Sequence, residues 1–419
     1  MNLRILPPDE ILTATIELPL SKSVSARTLI IDAIAGLPLS ERVADCDDTK
    51  ALAAALSGNA AEVNIGAAGT AMRFLTAYYA ARPGCEVTLD GDARMRQRPI
   101  GRLVDALRRL GADISYAGEE GFPPLRIKGK VLSGGDIDVD ASVSSQYVSA
   151  IMMVAPLMSA PLRVNLPGDV VSRPYITMTA KMMAERGISV DINPTLIAIE
   201  PGSYTAATTE VERDWSAASY WYEIAALTAG WVTLPGLSLP SLQGDSALAG
   251  LFPRLGVLTE FEDGAAELSA TPDLFSRLEL DMSDTPDLVQ TFVVTACAIG
   301  IPFRLTGVST LRIKETDRID ALCRELLKIG CVVSAEGDDV ISWECVRRPI
   351  SELPRIDTYG DHRMAMAFAP LAVFIPGIII NDIEVVRKSY PDYWAHLTEA
   401  GFKLIDAATP LTELNEEEA

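Results

Sequence analysis

The sequence predicts an α/β protein built from one repeated unit and arranged in two similar halves, and three observations lead there. First, five segments (RRLGADISY, AERGISVDI, PRLGVLTEFEDGAAEL, LKIGCVVSAEGDDVISW and TEAGFKLID) each end a helical pattern in a glycine and continue as an alternating strand. Second, their glycines, Gly111, Gly187, Gly256, Gly330 and Gly401, are 76, 69, 74 and 71 residues apart. A glycine suits a helix end that must turn back into a strand, because it adopts the left-handed conformation without cost. Third, 419 residues with 48% hydrophobic content are enough for two domains with substantial cores.

In chain order, Leu29–Gly36 and Ala51–Ile65 read as the helices and strand of a sixth unit, which gives two halves of three. Ser144–Pro156 and Leu288–Ile299 are apolar all round, so they are expected as interior helices beneath mixed sheets. A boundary between halves is expected near Glu212-Arg213-Asp214. Met364 to Ile380 is apolar, but Pro370, Pro376 and Gly377 interrupt it, so it reads as a buried helix, a turn and a buried strand rather than a membrane span. MNLRILPPDE has no apolar core of a secretory signal, and a cytoplasmic protein is expected. The acidic tail 415–419 is expected to fray.

With 36 Lys+Arg against 57 Asp+Glu, the net charge is −21. Such a surface repels nucleic acid and anionic membrane, so neither is an expected partner. The six cysteines have no metal-ligand spacing and there are two histidines, so no metal and no other cofactor is expected.

Against this acidic background, cations recur where helices begin: Ser21-Lys22-Ser23 with Arg27, Gly69 to Arg73, Lys314-Glu315 with Arg318, and Asp361-His362-Arg363. A helix N-terminus is already partly positive, so each such cation is unfavourable by roughly 0.3–1 kcal/mol unless an anion offsets it. Four repetitions point to a site for small, multiply charged anions, with phosphate the first candidate.

The motifs LPLSKSVSAR, AGTAMRFL, DGDARMRQRPIGRLVDAL, SSQYVSAI, SRPYI, TPDLVQT, RIKETDRI, GDHRMAM and KSYPDYW, in this order, resemble the enolpyruvyl transferases over nearly the whole chain. The match is to the branch that acts on shikimate 3-phosphate. The resemblance implies two domains of three βαβαββ-type units closing over an interdomain active-site cleft. Residues 1–19 would belong with 214–419 as the phosphoenolpyruvate (PEP) and catalytic side, and 20–213 would form the shikimate 3-phosphate side. It also implies a monomer and transfer of the enolpyruvyl group of PEP to the 5-hydroxyl of shikimate 3-phosphate, with release of phosphate.

The same resemblance distributes the site residues. Lys22, Ser23, Arg27, Ser144, Ser145, Gln146, Ser172, Tyr175, Asp287, Thr310 and Lys314 would bind shikimate 3-phosphate. Lys22, Gly69, Arg98, Gln146, Glu315, Arg318, His362, Arg363 and Lys388 would surround PEP. Asp287 would take the hydroxyl proton and Glu315 would serve the PEP methylene carbon, a division that suits two carboxylates in separate environments. Lys22 would clamp developing charge, and His362 would assist proton transfer or orient PEP.

Blander readings stand beside these. Asp287 could cap the apolar helix that follows it, Glu315 and Arg318 could be a surface helix pair, and His362 could be a satisfied interior histidine. Lys314 and Arg318, four apart on one helix face, would repel each other and favour an anion between them. Two departures from the family pattern, Ala67 and Thr310, stand where asparagines are usual. The sister transferase that uses UDP-N-acetylglucosamine places a cysteine where this chain has Ala93. A non-catalytic binder of an anionic metabolite would have no need of Asp287 and Glu315. RNA-end chemistry on a related repeat fold is disfavoured by the net charge.

Overall fold

The structure is a computed structural model that describes residues 1–142, 144–207 and 209–409. The expected fraying of 415–419 lies outside the described residues. The chain divides into two compact units. One comprises Met1–Pro19, Arg213–Pro240 and Asp245–Ala419, and the other Leu20–Glu212 and Ser241–Gly244.

Among the described residues there are five four-stranded sheets, and all have one pattern: a parallel pair extended by two antiparallel neighbours. In the unit of Leu20–Glu212, Glu62–Asn64 runs parallel to Glu86–Asp90, followed by Leu125–Lys128 and Asp113–Tyr116. Gly135–Asp138, Leu162–Asn165, Leu196–Ile199 and Val190–Ile192 repeat that order.

The other unit has three such sheets, and two of them recruit the chain's start. Thr13–Thr15 pairs in parallel with Trp231–Pro235, and Leu3–Leu6 lies between Ile379–Ile380 and Lys403–Asp406. This pairing places the first nineteen residues in the unit of the C-terminal half.

The repeat glycines behave as their spacing predicts: Gly111, Gly187, Gly256, Gly330 and Gly401 have φ of 94°, 86°, 86°, 83° and 93°. The sixth unit has the helices and strand expected of it: Lys22–Ala35, closed by left-handed Gly36, then Asp47–Ser57 and the strand Glu62–Asn64, while residues 37–46 between the helices carry no strand. Side chains hold that segment instead. Ser40 N donates to Asp32 Oδ2 at 3.1 Å, and Ala44 N donates to Ser25 Oγ at 2.8 Å. With Pro38 and three charged residues in ten, the segment lacks the apolar alternation that a sheet needs.

The apolar helices lie inside. Ser145–Val154 is buried at all but one residue, and Val289–Ile299 from Val289 through Cys297. Met364 to Ile380 resolves into part of the helix His362–Phe368, a 3-10 turn Ala369–Val373 and the strand Ile379–Ile380. No helix among the described residues is long and apolar enough to cross a membrane.

The repeat glycines make a graded prediction. A Cβ on Gly111 meets nothing within 4 Å, whereas one on Gly330 lies 2.4 Å from the Arg348 carbonyl oxygen. Gly111→Ala should cost only the left-handed backbone penalty, roughly 1–2 kcal/mol, and Gly330→Ala distinctly more. Equal losses in urea unfolding would contradict this.

Candidate active site

In the unit of Leu20–Glu212, four helices begin at one level: Lys22–Ala35, Gly69–Ala80, Ser145–Val154 and Arg173–Glu185. The buried Arg27 sets the level. Its Nε donates to Thr179 Oγ1 at 2.7 Å, and its Nη2 donates to Ser149 Oγ at 3.2 Å and to the Tyr175 carbonyl at 3.3 Å. Its Nη1 donates back to the Ser23 carbonyl at 2.9 Å. Arg27, Ser149 and Thr179 are each five to seven residues into their helices, so the three starts coincide. Gln146 Nε2 donates to Thr70 Oγ1 at 3.0 Å and brings in the fourth. Four aligned N-termini give this end a concentrated positive potential.

Arg27 is 2% exposed, and none of its described contacts is to a carboxylate. The rings of Phe74 and Tyr175, 5.3 and 5.9 Å from its guanidinium carbon, are its only face partners among the described residues. Burial accordingly lowers its pKa to about 10, with Tyr175 opposing the shift.

Ser144 caps the helix Ser145–Val154, accepting from Gln146 N at 3.3 Å. Ser172, at the start of Arg173–Glu185, has φ of 55°. A left-handed non-glycine residue is strained, and such strain concentrates at ligand sites. Ser145 is buried, while Ser23 and Tyr175 are half-buried. Lys22 Nζ lies 3.2 Å from Asp48. A Cβ on Gly69 would come within 2.6 Å of Arg98 Nη1 and 3.0 Å of Arg73 Nη1. Gly69 therefore leaves room for two guanidinium groups at a helix start.

The other unit gathers four helix starts in the same way: Trp215–Thr228, Val289–Ile299, Arg318–Lys328 and His362–Phe368. Ser219 and Thr291 hydroxyls, 3.0 Å apart, join the first two. Arg318, the first residue of its helix and 1% exposed, binds three carboxylates. Its Nε donates to Asp361 Oδ2 at 2.7 Å, its Nη1 to Asp287 Oδ1 at 3.1 Å and its Nη2 to Glu315 Oε2 at 3.1 Å. Arg363 Nη2 donates to Asp287 Oδ2 at 2.8 Å, and Arg363 Nη1 lies 3.4 Å from the Tyr220 hydroxyl. Lys388 Nζ sits 3.0 Å from Glu315 Oε1, and Lys314 Nζ 3.7 Å from Asp287 Oδ1. His362 is buried, with Nδ1 3.5 Å from Asp361 Oδ1. Arg318, Arg363, Lys388 and Lys314 against Asp361, Asp287 and Glu315 leave one net positive charge, to which the four helix starts add.

Asp287 is the hub of this network. Burial alone would push its carboxyl up, but Arg363, Lys314 and Arg318 outweigh burial and the like charge of Glu315, and hold it well below the usual carboxylate range.

Several expectations change. Asp287 does not cap the helix Val289–Ile299: Leu288 stands at its N-cap with no side-chain cap bond, and both Asp287 oxygens accept from arginines. Lys314 and Glu315 do not share a helix with Arg318: they follow the 3-10 turn Ser309–Ile313, in the segment ahead of the helix. The anion between Lys314 and Arg318 is the carboxylate of Asp287. Glu315 and Arg318 are not a surface pair, because Arg318 is buried. Thr310 Oγ1 is buried with no hydrogen-bond partner among the described residues. Ala67 is exposed.

Sequence reasoning missed Asp48 and Tyr220, named Arg73 among the cations at helix starts without assigning it to a substrate, and gave Asp361 no role. For Asp361 a signal existed: an aspartate directly before a helix start is a capping position, and its Oδ1 accepts from Arg363 N at 2.9 Å.

With this geometry in view, the comparisons with known proteins agree. The family model for EPSP synthase (3-phosphoshikimate 1-carboxyvinyltransferase) matches residues 53–397. A 3-phosphoshikimate 1-carboxyvinyltransferase of Bacteroides fragilis is 48% identical over 392 residues, covering 93% of this chain and 95% of the relative. One from Shewanella piezotolerans is 37% identical, covering 94% and 98%. A solved EPSP synthase of Acinetobacter baumannii superposes with a TM-score of 0.75 over 97% of this chain and all of that one, and at 23% identity it supports the fold. The chain belongs to the EPSP synthase family.

Proposed function

We infer that the protein transfers the enolpyruvyl group of PEP to the 5-hydroxyl of shikimate 3-phosphate, releasing phosphate. One observation carries this reading: Asp287 and Glu315 hang on the same buried guanidinium, Arg318, amid cations at converging helix starts. Addition followed by elimination needs two carboxyl groups with distinct tasks, together with enough positive charge for a phosphate and a carboxylate.

The roles follow from the contacts. Shikimate 3-phosphate falls to the unit of Leu20–Glu212, where Ser23, Ser144, Ser145 and Ser172 stand at helix starts to take the phosphate. Arg27, buried without a carboxylate contact among the described residues, takes the substrate's carboxylate or another of its anionic oxygens. Gln146 and Tyr175 complete that side, and Thr310 and Lys314 are assigned to the same substrate. PEP falls to Arg318, Arg363, Lys388, Arg98 and the helix start at Gly69, with His362 orienting it.

Without substrate, the cations hold Asp287 ionised but leave it a poor base. When the phosphate and carboxylate of PEP draw on Arg363, Arg318 and Lys388, the hold on Asp287 and Glu315 loosens and both gain proton affinity. Asp287 then accepts the hydroxyl proton as the oxygen attacks PEP. Glu315, having taken up a proton, delivers it to the methylene carbon and takes one back as the carbon–oxygen bond to phosphate breaks, and the hydroxyl proton on Asp287 passes to the departing phosphate or to solvent. Lys22, resting on Asp48, offsets charge that develops in between.

The direct test is phosphate release from PEP with shikimate 3-phosphate, and separately with UDP-N-acetylglucosamine. Release with the shikimate compound alone is expected. Silence with both, alongside tight calorimetric binding of shikimate 3-phosphate, would show a binder instead.

Asp287→Asn and Glu315→Gln should each lower kcat by about 10²–10⁴-fold while shikimate 3-phosphate still binds. Near-normal turnover of Glu315→Gln would remove its assigned role.

Gly69→Ala sets a Cβ against Arg98 and must displace that guanidinium. The KM for PEP should rise about tenfold, or about 1.4 kcal/mol, with a smaller change in kcat. A fall in kcat at unchanged KM would contradict this.

A further inference from the structure

One buried acid near the ion cluster has no part in the mechanism above. Asp245 lies in the 3-10 turn Gly244–Ala247 and is 2% exposed. Ser216, in the first turn of Trp215–Thr228, donates its hydroxyl to Asp245 Oδ2. The other oxygen, Oδ1, is buried and has no hydrogen-bond partner among the described residues. One turn further along the same helix stands Tyr220, whose hydroxyl meets Arg363, and Arg363 in turn binds Asp287. Asp245 therefore sits behind the cluster, at the same converging helix starts.

The charged groups that act on it are Asp287, Arg363 and Asp214, the last being the cap of Trp215–Thr228. Burial first, and then the negative charge of Asp287, push its carboxyl up to about 7, against the Ser216 hydrogen bond and Arg363. Asp287 is displaced the opposite way. Neighbouring carboxyls driven apart in this manner take different parts in proton chemistry.

We propose that Asp245 is a positioning residue for the transfer reaction, a buried carboxyl whose ionisation raises the proton affinity of Asp287 and so activates Asp287 toward the acceptor hydroxyl. The proposal rests on Asp287 being that base. Asp287 is a weak base because three cations surround it, and a negative charge behind Arg363 offsets part of their effect. Asp245 exchanges no proton with substrate: the hydroxyl proton goes to Asp287 as the new carbon–oxygen bond forms.

The test is kcat against pH from about 5.5 to 8.5 for the wild type and for Asp245→Asn, Ser216→Ala and Asp287→Asn. The wild type should show one rise near neutrality. Asp245→Asn should lose that rise and fall about tenfold behind the wild type above it, as one pK unit of lost basicity implies, with KM little changed. Ser216→Ala retains the acid but removes its only described donor, so the rise should move to higher pH.

Stability gives a readout independent of turnover. The folded acid stays protonated up to about 7 while the unfolded one ionises near 3.8, so Asp245 costs folding increasingly as pH climbs through that window. Asp245→Asn should therefore gain stability over the wild type at pH 8 relative to pH 4.

An Asp245→Asn profile that overlays the wild type, or lies below it by the same factor at every pH, would overturn the proposal. Near-normal turnover of Asp287→Asn would remove the base role and the proposal together. Slow Asp287→Asn with a pH-independent deficit in Asp245→Asn would overturn this proposal alone.

Discussion

Four helix starts converge at one end of each unit, and the positive potential they concentrate has to be offset. The two units do this differently. Around Arg318 the offset is internal, since Asp287, Glu315 and Asp361 occupy the cations. Around Arg27 it consists of neutral oxygens and aromatic faces, so a buried charge is left without a carboxylate among the described residues. The placement of each polar side chain in the candidate site follows from this constraint. The helices converge because interior side chains at matching depth, Arg27 with Ser149 and Thr179 and Ser219 with Thr291, fix their level.

The three carboxylates at Arg318 differ in how readily they can yield. Asp361 is fully buried, bonds Arg318 through both oxygens and caps its own helix, so it stays when a ligand arrives. Removing one partner of a buried pair of this kind costs about 3–5 kcal/mol. Asp287 and Glu315 are partly exposed and share their cations with Lys314, Arg363 and Lys388. They are the groups that substrate anions can relieve, and they are also the groups to which the proposed mechanism assigns proton transfer. In that mechanism, binding and base activation are one event, because an arriving anion offsets the charge that keeps Asp287 a weak base.

Much of this was legible in the sequence because it is local. A glycine after a helical pattern signals a left-handed turn, and all five repeat glycines adopt one. Cations beside Ser21, Gly69 and Asp361 mark helix starts. The illegible parts depend on distant packing. Nothing near Lys22 names Asp48 as its partner, and nothing near Arg318 shows that Asp287 would lie between it and Lys314. The regular spacing implied a sixth unit, whose helices and strand form, but it gave no sign that residues 37–46 would be tied to side chains of the preceding helix. The pairing of Leu3–Leu6 with strands near the other end of the chain followed from family resemblance alone, since no local pattern specifies so remote a partner. Asp245 carried no signal at all, because an aspartate in a Gln-Gly-Asp turn reads as an ordinary loop residue until its burial is known.

The central claim is that substrate anions take cations away from Asp287 and Glu315, and so raise the proton affinity of both. Calorimetric binding of inorganic phosphate to the enzyme saturated with shikimate 3-phosphate, a pair that cannot react, tests it directly when repeated at pH 7 in buffers of different ionisation enthalpy. The account predicts net proton uptake by the protein on binding, reduced in Asp287→Asn and in Glu315→Gln. Binding with no proton uptake beyond that of the ligand itself would contradict it.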